Sequence, residues 1–267
     1  MKLNKVYCMD NLKLLRQLPS KCIDLIYCDV LYNTGKKFKD YNDNLGTPQE
    51  AIEWYRPRLI EMRRVLKDSG SIYLQCDYRL VHYLKVEMDD VFGFKNFRNE
   101  IIWCYNTASN EKKGFLKKHD TILRYSKSDN FKFNADDIRI PYNEETIARY
   151  KRGKPGRGNK AELNQLGKIP EDWWQISIIK NQGEKVGYAT QKPKALAERI
   201  IKASSNEGDV IADFFCGSGT TLVVAKELGR QYIGCDINPK AVDITRERLE
   251  KISIPKIVDD KEEDKEC

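Results

Sequence analysis

DVIADFFCGSGTTLVVAKELGRQYIGCDINP, residues 209–239, decides the fold. An apolar, β-rich run reads as a strand ending at Phe214–Phe215. Gly217, Ser218 and Gly219 form a turn, and Thr220 opens a helix. A second apolar run reads as a strand ending at Asp236. Strand, glycine loop, helix, strand and acid make half of a nucleotide-binding unit. The glycines let the backbone approach a ligand, and the acid accepts hydrogen bonds from ribose hydroxyls. Gly217 and Asp236 stand 19 residues apart, against roughly 20 in such units.

The loop runs F-x-G-x-G and lacks the third glycine of G-x-G-x-x-G, which counts against a dinucleotide. No G-K-[ST] follows to hold a triphosphate. A ligand with ribose but no phosphate fits what is left, so S-adenosylmethionine is the expected cofactor. The competing reading is a glycine turn needed only for packing.

Outward from this unit the pattern repeats. DLIYC (24–28), SIYLQC (71–76), EIIWCY (100–105) and DTILRYS (120–126) read as further strands, most of them apolar on both faces. That suits a sheet covered on both sides. PQEAIEWYRPRLIEMRRVLKDSG (48–70) places Ile52, Tyr55, Leu59, Met62 and Leu66 at helical steps, with Gly70 positioned to stop the helix. KPKALAERIIKAS and PKAVDITRERLEKI read as two more helices. Alternation of this kind predicts an α/β, Rossmann-like fold with a mostly parallel sheet.

Residues 127–188 break the rhythm, being polar, basic and rich in Gly, Asn and Lys, and read as a module inserted at the sheet edge. Within them ARYKRGKPGRGNK (148–160) carries Arg149, Lys151, Arg152, Lys154 and Arg157 without an acid. Such a run suggests a polyanion contact, with a solvated loop as the alternative. Trp173 and Trp174 are expected to pack rather than stack on bases. Residues 256–267 read as a charged tail.

A chain of 267 residues, 40% hydrophobic and 33% charged, is one large domain or one domain with an insertion. The apolar runs are too short to span a membrane, and no signal peptide is legible, so the expected location is cytoplasmic. Eight scattered cysteines without a C-x-x-C pair read as buried thiols, and two histidines argue against a zinc centre.

DLIYCDVLYNTGKKFKDYND (24–43) resembles the catalytic loop of DNA amino-methyltransferases, usually Asp-Pro-Pro-Tyr followed by Asn-Thr-Gly. GYATQKPKALAERIIKASSNEGDVIADFFCGSGTT (187–221) resembles the family's cofactor motifs run together. The catalytic segment comes first, as in the β group, and the resemblance covers residues 1 to about 250. It implies a seven-stranded methyltransferase sheet with permuted motif order: a catalytic half at 1–126, a target-recognition insertion at 127–188 and a cofactor half at 189–255. In an open parallel sheet the loops after two neighbouring strands can share a ligand site, whichever comes first in the chain.

By the same resemblance, Asp29 and the Val30 carbonyl accept the hydrogens of an exocyclic amine and Tyr32 stacks on the flipped base. Two acceptors favour the tetrahedral, positive nitrogen of the transition state. Valine at position 30 and leucine at 31 replace the usual prolines, which implies a loop that keeps its chemical groups and loses stiffness. Asp10 is either an adenine contact or a helix N-cap. Thr190, Gln191 and Lys192 resemble the motif over the methionine end, with Lys192 meeting the carboxylate or merely entering a helix. Phe215 lines the adenine pocket or packs in the core, and Asp213 reaches the cofactor's amino group. Asn33 and Lys36 are expected at DNA.

Aspartate at the head of the loop favours N6 of adenine in double-stranded DNA. The alternatives are a cytosine-N4 enzyme, an RNA or protein-glutamine enzyme, and a DNA-binding paralogue without activity. A homodimer and a separately encoded restriction endonuclease are the partners the resemblance suggests.

Overall fold

The computed structural model describes residues 2–37, 41–107, 111–153, 162–179 and 183–252. Lys154, Arg157 and the tail at 256–267 lie outside them. In chain order the elements are β1 (Lys5–Cys8), α1 (Asn11–Gln17), β2 (Ile23–Asp29), β3 (Lys36–Lys37), β4 (Asn42–Asp43), α2 (Pro48–Val65), β5 (Leu66–Cys76) and α3 (Val81–Met88). There follow β6 (Phe97–Cys104), β7 (His119–Ser126), α4 (Glu144–Lys151), β8 (Trp173–Gln175), α5 (Lys194–Ser204), β9 (Val210–Asp213), α6 (Thr220–Glu227), β10 (Gln231–Asp236) and α7 (Pro239–Glu250).

One sheet of eight strands runs β1-β10-β9-β2-β5-β7-β6-β8. Among the described residues only β7 is antiparallel to its neighbours, and β3–β4 form a separate hairpin. The eighth strand is a short piece from residues 127–188, which pairs Trp173 and Trp174 with Ile102 and Trp103 at the edge. Trp174 is buried there while Trp173 stays exposed. β1 was not legible because its four residues show one buried apolar side chain, Val6.

Alternation along the strands feeds two cores. Ile26 and Cys28 of β2 face α1, α2 and α3, packing with Leu14, Tyr55, Leu59 and Leu84. Leu25 and Tyr27 face the other side, with Ile200, Leu222 and Val242 of α5, α6 and α7. Both faces are covered, so strand residues on either face are apolar. No helix of the described residues is long and apolar enough to cross a membrane.

Two boundaries differ from the sequence reading. β9 ends at Asp213, so Phe214 and Phe215 already belong to the loop. Gly70 does not stop α2: the helix ends at Val65, and Leu66 leads directly into β5. Gly70 lies within that strand because a side chain there would come 2.9 Å from the Asp24 carbonyl. Its role is close strand approach, where the pairing of β2 and β5 shifts register.

Candidate active site

β2 and β9 are neighbours in the sheet, pairing Leu25 with Ile211 and Ile26 with Ala212. Their following loops therefore meet at the carboxyl edge. The Phe214 N–H lies 3.3 Å from Cys28 Sγ. A cavity of about 540 Å³ opens there, lined from β2 by Asp29, Val30 and Leu31 and from the glycine loop by Phe215, Gly217 and Ser218.

The glycine loop is held by its own geometry. Gly217 and Gly219 have φ of 47° and 76°, a left-handed backbone that favours glycine. A side chain at Gly219 would collide with Thr245 at 2.3 Å. Gly219 itself does not line the cavity; it starts α6 in a left-handed cap. Asp236 ends β10 and accepts N–H groups from Gly217 and Asn238, each at 2.9 Å. Burial raises its carboxyl above the usual range despite those bonds. Both Asp236 oxygens keep lone-pair capacity toward the cavity they line.

Asp213, at the end of β9, is buried and lines the same cavity. Burial pushes its carboxyl up to about 7; the Thr221 hydroxyl and the Phe215 N–H offset part of that. Phe215 is partly buried, with its ring centroid 6.2 Å from that of Trp54. Trp54 is a lining residue the sequence reading missed. Arg58, four residues on, stacks over it at 3.4 Å. The buried Arg58 guanidinium also binds Asp10 Oδ2 at 2.8 Å and Asn11 Oδ1 at 2.7 Å. Asn11 in turn donates to the Phe214 carbonyl. The visible signal was Trp54–Arg58, a pair one helical turn apart on α2. Asp10 combines both expected roles in position: Oδ1 caps α1 through the Lys13 N–H, and the residue lines the cavity.

The T-Q-K-P segment closes one wall. Thr190 and Lys192 line the cavity, and the Lys192 carbonyl accepts from the Thr220 hydroxyl at 3.1 Å. Lys192 Nζ pairs with Asp29 Oδ2 at 2.5 Å. Burial pulls the Lys192 ammonium down, but the charges of Asp29 and Asp120 outweigh it and leave the group raised. Burial likewise raises the Asp29 carboxyl, which Lys192 and Tyr32 only partly offset. Gln191 does not line the cavity. Its amide accepts from the Val186 N–H and donates to the Glu184 carbonyl, bracing the preceding turn.

The Asp-Val-Leu-Tyr loop is anchored without proline. Val30 is buried and donates its N–H to the Gln75 carbonyl at 3.1 Å. The Leu31 carbonyl accepts from the Tyr55 hydroxyl at 2.8 Å. Burial of Val30 and two hydrogen bonds at the main chain therefore hold the loop where the usual prolines are absent. The Val30 carbonyl accepts no hydrogen bond from the described residues, so it is available to a ligand. Tyr32 donates its hydroxyl to Asp29 Oδ1 at 2.6 Å. Beside it lie Gln75, Asp120, Tyr27 and Tyr105, a polar group that no motif announced.

Of the residues expected at DNA, Asn33 is occupied by its own loop. It has φ of 54°, donates to the Gly46 carbonyl and accepts from the Leu45 N–H. Lys36 is exposed on β3, and Arg149, Lys151 and Arg152 are exposed on or beside α4.

Residues 23–247 match the family model described as DNA methylase, and the chain belongs to that family. It is 35% identical to the type II methyltransferase M.HpaI of Haemophilus parainfluenzae, over 92% of this chain and 74% of that one. It is 31% identical to the DNA adenine methyltransferase YhdJ of Escherichia coli, over 91% and 82%. Its fold matches that of PvuII DNA methyltransferase (cytosine-N4-specific), with a TM-score of 0.69 at 20% identity over 95% of this chain and 89% of the other.

Proposed function

We propose that this chain methylates N6 of adenine at a specific site in duplex DNA, with S-adenosylmethionine as donor. One observation carries the reading. Asp29 and the unengaged Val30 carbonyl line the same cavity as Asp213, Phe215 and Asp236. Acceptors for an amine and a nucleoside-sized pocket thereby share one space.

The cavity fits the donor. Its volume lies within the roughly 300–1,000 Å³ of small-molecule sites. Trp54 and Phe215 offer apolar faces to an adenine, Asp236 has lone pairs for ribose hydroxyls, and Asp213 can face an ammonium group. S-adenosylmethionine supplies a methyl group on a sulfonium, electrophilic toward an amine. The chain's own part is to hold and orient. Asp29 and the Val30 carbonyl accept the two amine hydrogens, which favours the pyramidal nitrogen over the planar one. The Tyr32 ring offers a stacking face to a base swung out of the duplex, offsetting part of the lost stacking.

The adenine assignment rests on the aspartate at position 29 and on the similarity to an adenine methyltransferase. Arg149, Lys151 and Arg152 contact phosphates from the insertion, which serves as the target reader. The setting is a restriction–modification system with a separately encoded endonuclease. The test is incubation with tritiated S-adenosylmethionine and duplex DNA, RNA or protein, followed by identification of the labelled group. Label on N6 of adenine is expected. Label on N4 of cytosine would replace the target base, and label only on RNA or protein would replace the substrate class.

A further inference from the structure

Asp120 lies on β7, is 5% exposed and forms no ion pair among the described residues. Lys192 acts on Asp120 through its charge but not through a direct ion pair, and a buried carboxylate without such a pair is kept only where neighbours satisfy its oxygens. Here they do. Tyr105 donates to Oδ1 at 3.0 Å and Gln75 Nε2 to Oδ2 at 2.9 Å. The Tyr27 hydroxyl donates to Gln75 Oε1 at 2.7 Å, which fixes the amide with its NH₂ toward Asp120 and Tyr32.

The Tyr32 hydroxyl stands between two carboxylates, 2.6 Å from Asp29 Oδ1 and 2.9 Å from Asp120 Oδ2. It has one hydrogen and can serve one of them at a time. While it serves Asp29, one of the two lone pairs on the oxygen that should receive the target amine is taken, and that oxygen's negative charge is partly quenched. Asp120 does not line the cofactor cavity, so it has no part in holding the donor.

We propose that Asp120 is a positioning residue for methyl transfer: it takes over the Tyr32 hydroxyl when the target amine arrives, leaving the full negative charge and both lone pairs of Asp29 Oδ1 to the amine hydrogen. The handover needs only rotation of the hydroxyl about its C–O bond, and no bond is made or broken. The inference rests on the methyltransferase reading above. The titratable groups around Asp29 are Lys192 and Tyr41 on one side, Tyr32 on its own loop, Cys76 on β5, Tyr105 after β6, Asp120 on β7, Tyr27 on β2 and Asp213 on β9.

The test is suppression. Asp120→Asn slows single-turnover methyl transfer by roughly 10- to 100-fold, the scale of one charge-assisted hydrogen bond. Adding Tyr32→Phe removes the hydroxyl that would otherwise quench the charge on Asp29 Oδ1, and the double variant recovers to within about threefold of Tyr32→Phe alone. A merely structural aspartate would not be rescued by losing a second hydrogen-bonding group. A double variant as slow as Asp120→Asn, or an Asp120→Asn chain as fast as the natural one, overturns the proposal.

Tyr32→Phe alone gives an independent reading if Asp120→Asn fails to fold. The bond from Tyr32 lowers the Asp29 carboxyl in the free protein. Its loss should move the acid limb of kcat/KM to higher pH, and the acid limb of the single-turnover rate at saturating DNA should stay in place. Both limbs moving together would show that the hydroxyl stays on Asp29 during transfer, against the handover. If the natural chain transfers no methyl group to DNA, the underlying reading fails instead, and the two failures are distinguishable.

Discussion

The Val30 N–H donates to the Gln75 carbonyl, one residue beyond the last paired position of the β2–β5 ladder, Asp29 opposite Gln75. A proline at 30 has no N–H to give. The Asp-Val-Leu-Tyr loop is therefore fixed in a way that proline does not permit. β2 is extended by one hydrogen bond, and Val30 is sunk into the core beside it.

Restoring proline at that position should harm this chain. Val30→Pro leaves the Gln75 carbonyl without its donor, at a cost of about 1–3 kcal/mol. Leu31→Pro keeps the carbonyl that Tyr55 binds and should cost less. Chemical denaturation of both variants checks the order. A Val30→Pro chain as stable as the natural one, with faster methyl transfer, would show that the loop lacks stiffness after all.

Donor affinity should depend on pH through Asp213. Its carboxyl sits at about 7 because it is buried, so it is largely neutral below that and charged above. Attraction to the donor's ammonium group then strengthens as pH rises from about 6 to about 8. Asp213→Asn should flatten the dependence, as read by calorimetric titration. Linkage gives a second sign. The folded value lies above the unfolded 3.8, so the folded chain binds this proton more tightly. The group's favourable contribution is present at low pH and is lost as pH rises from about 4 through about 7. The melting temperature of Asp213→Asn should therefore gain on the natural chain across that interval.

Trp54→Ala removes one wall of the cavity and the ring on which Arg58 rests. The dissociation constant for S-adenosylmethionine should rise by about 10-fold or more, the scale of losing one aromatic contact. Phe215→Ala should act in the same direction. DNA affinity measured without donor should stay within about twofold for both.

Arg149, Lys151 and Arg152, exposed on or beside α4, should each contribute one phosphate contact. Replacing one by alanine should weaken binding to specific and unrelated duplexes alike and reduce the salt slope by about one. A change confined to the specific sequence would assign that residue to base readout.

The strand, glycine loop, helix and strand from β9 to β10 were legible because their signals are local. The glycine loop, its flanking strands and Asp236 lie within one stretch, and each residue type has a backbone reason to be there. Asp29 and Tyr32 stood out at the end of β2 and just beyond it, but not what holds them. Gln75, Tyr55 and Asp120 are distant in sequence and look like ordinary strand and helix residues until the sheet puts β2, β5 and β7 side by side. Arg58 and Trp54 escaped for a related reason, since a basic and an aromatic residue on an amphipathic helix usually mark its surface. Gly70 misled because a glycine after a helical pattern usually ends the helix. Here the helix had already ended at Val65, and the glycine is needed as the fifth residue of β5, against Asp24.

The most direct test compares the natural chain with Asp29→Ala on duplex DNA, reading methylated nucleosides by mass spectrometry after a single turnover. The natural chain should yield N6-methyladenine. Asp29→Ala should bind S-adenosylmethionine and DNA but form the product roughly 100-fold or more slowly, the scale of losing one transition-state acceptor. Equal rates for the two chains, or no methylated base from a natural chain that binds both ligands, would contradict the account.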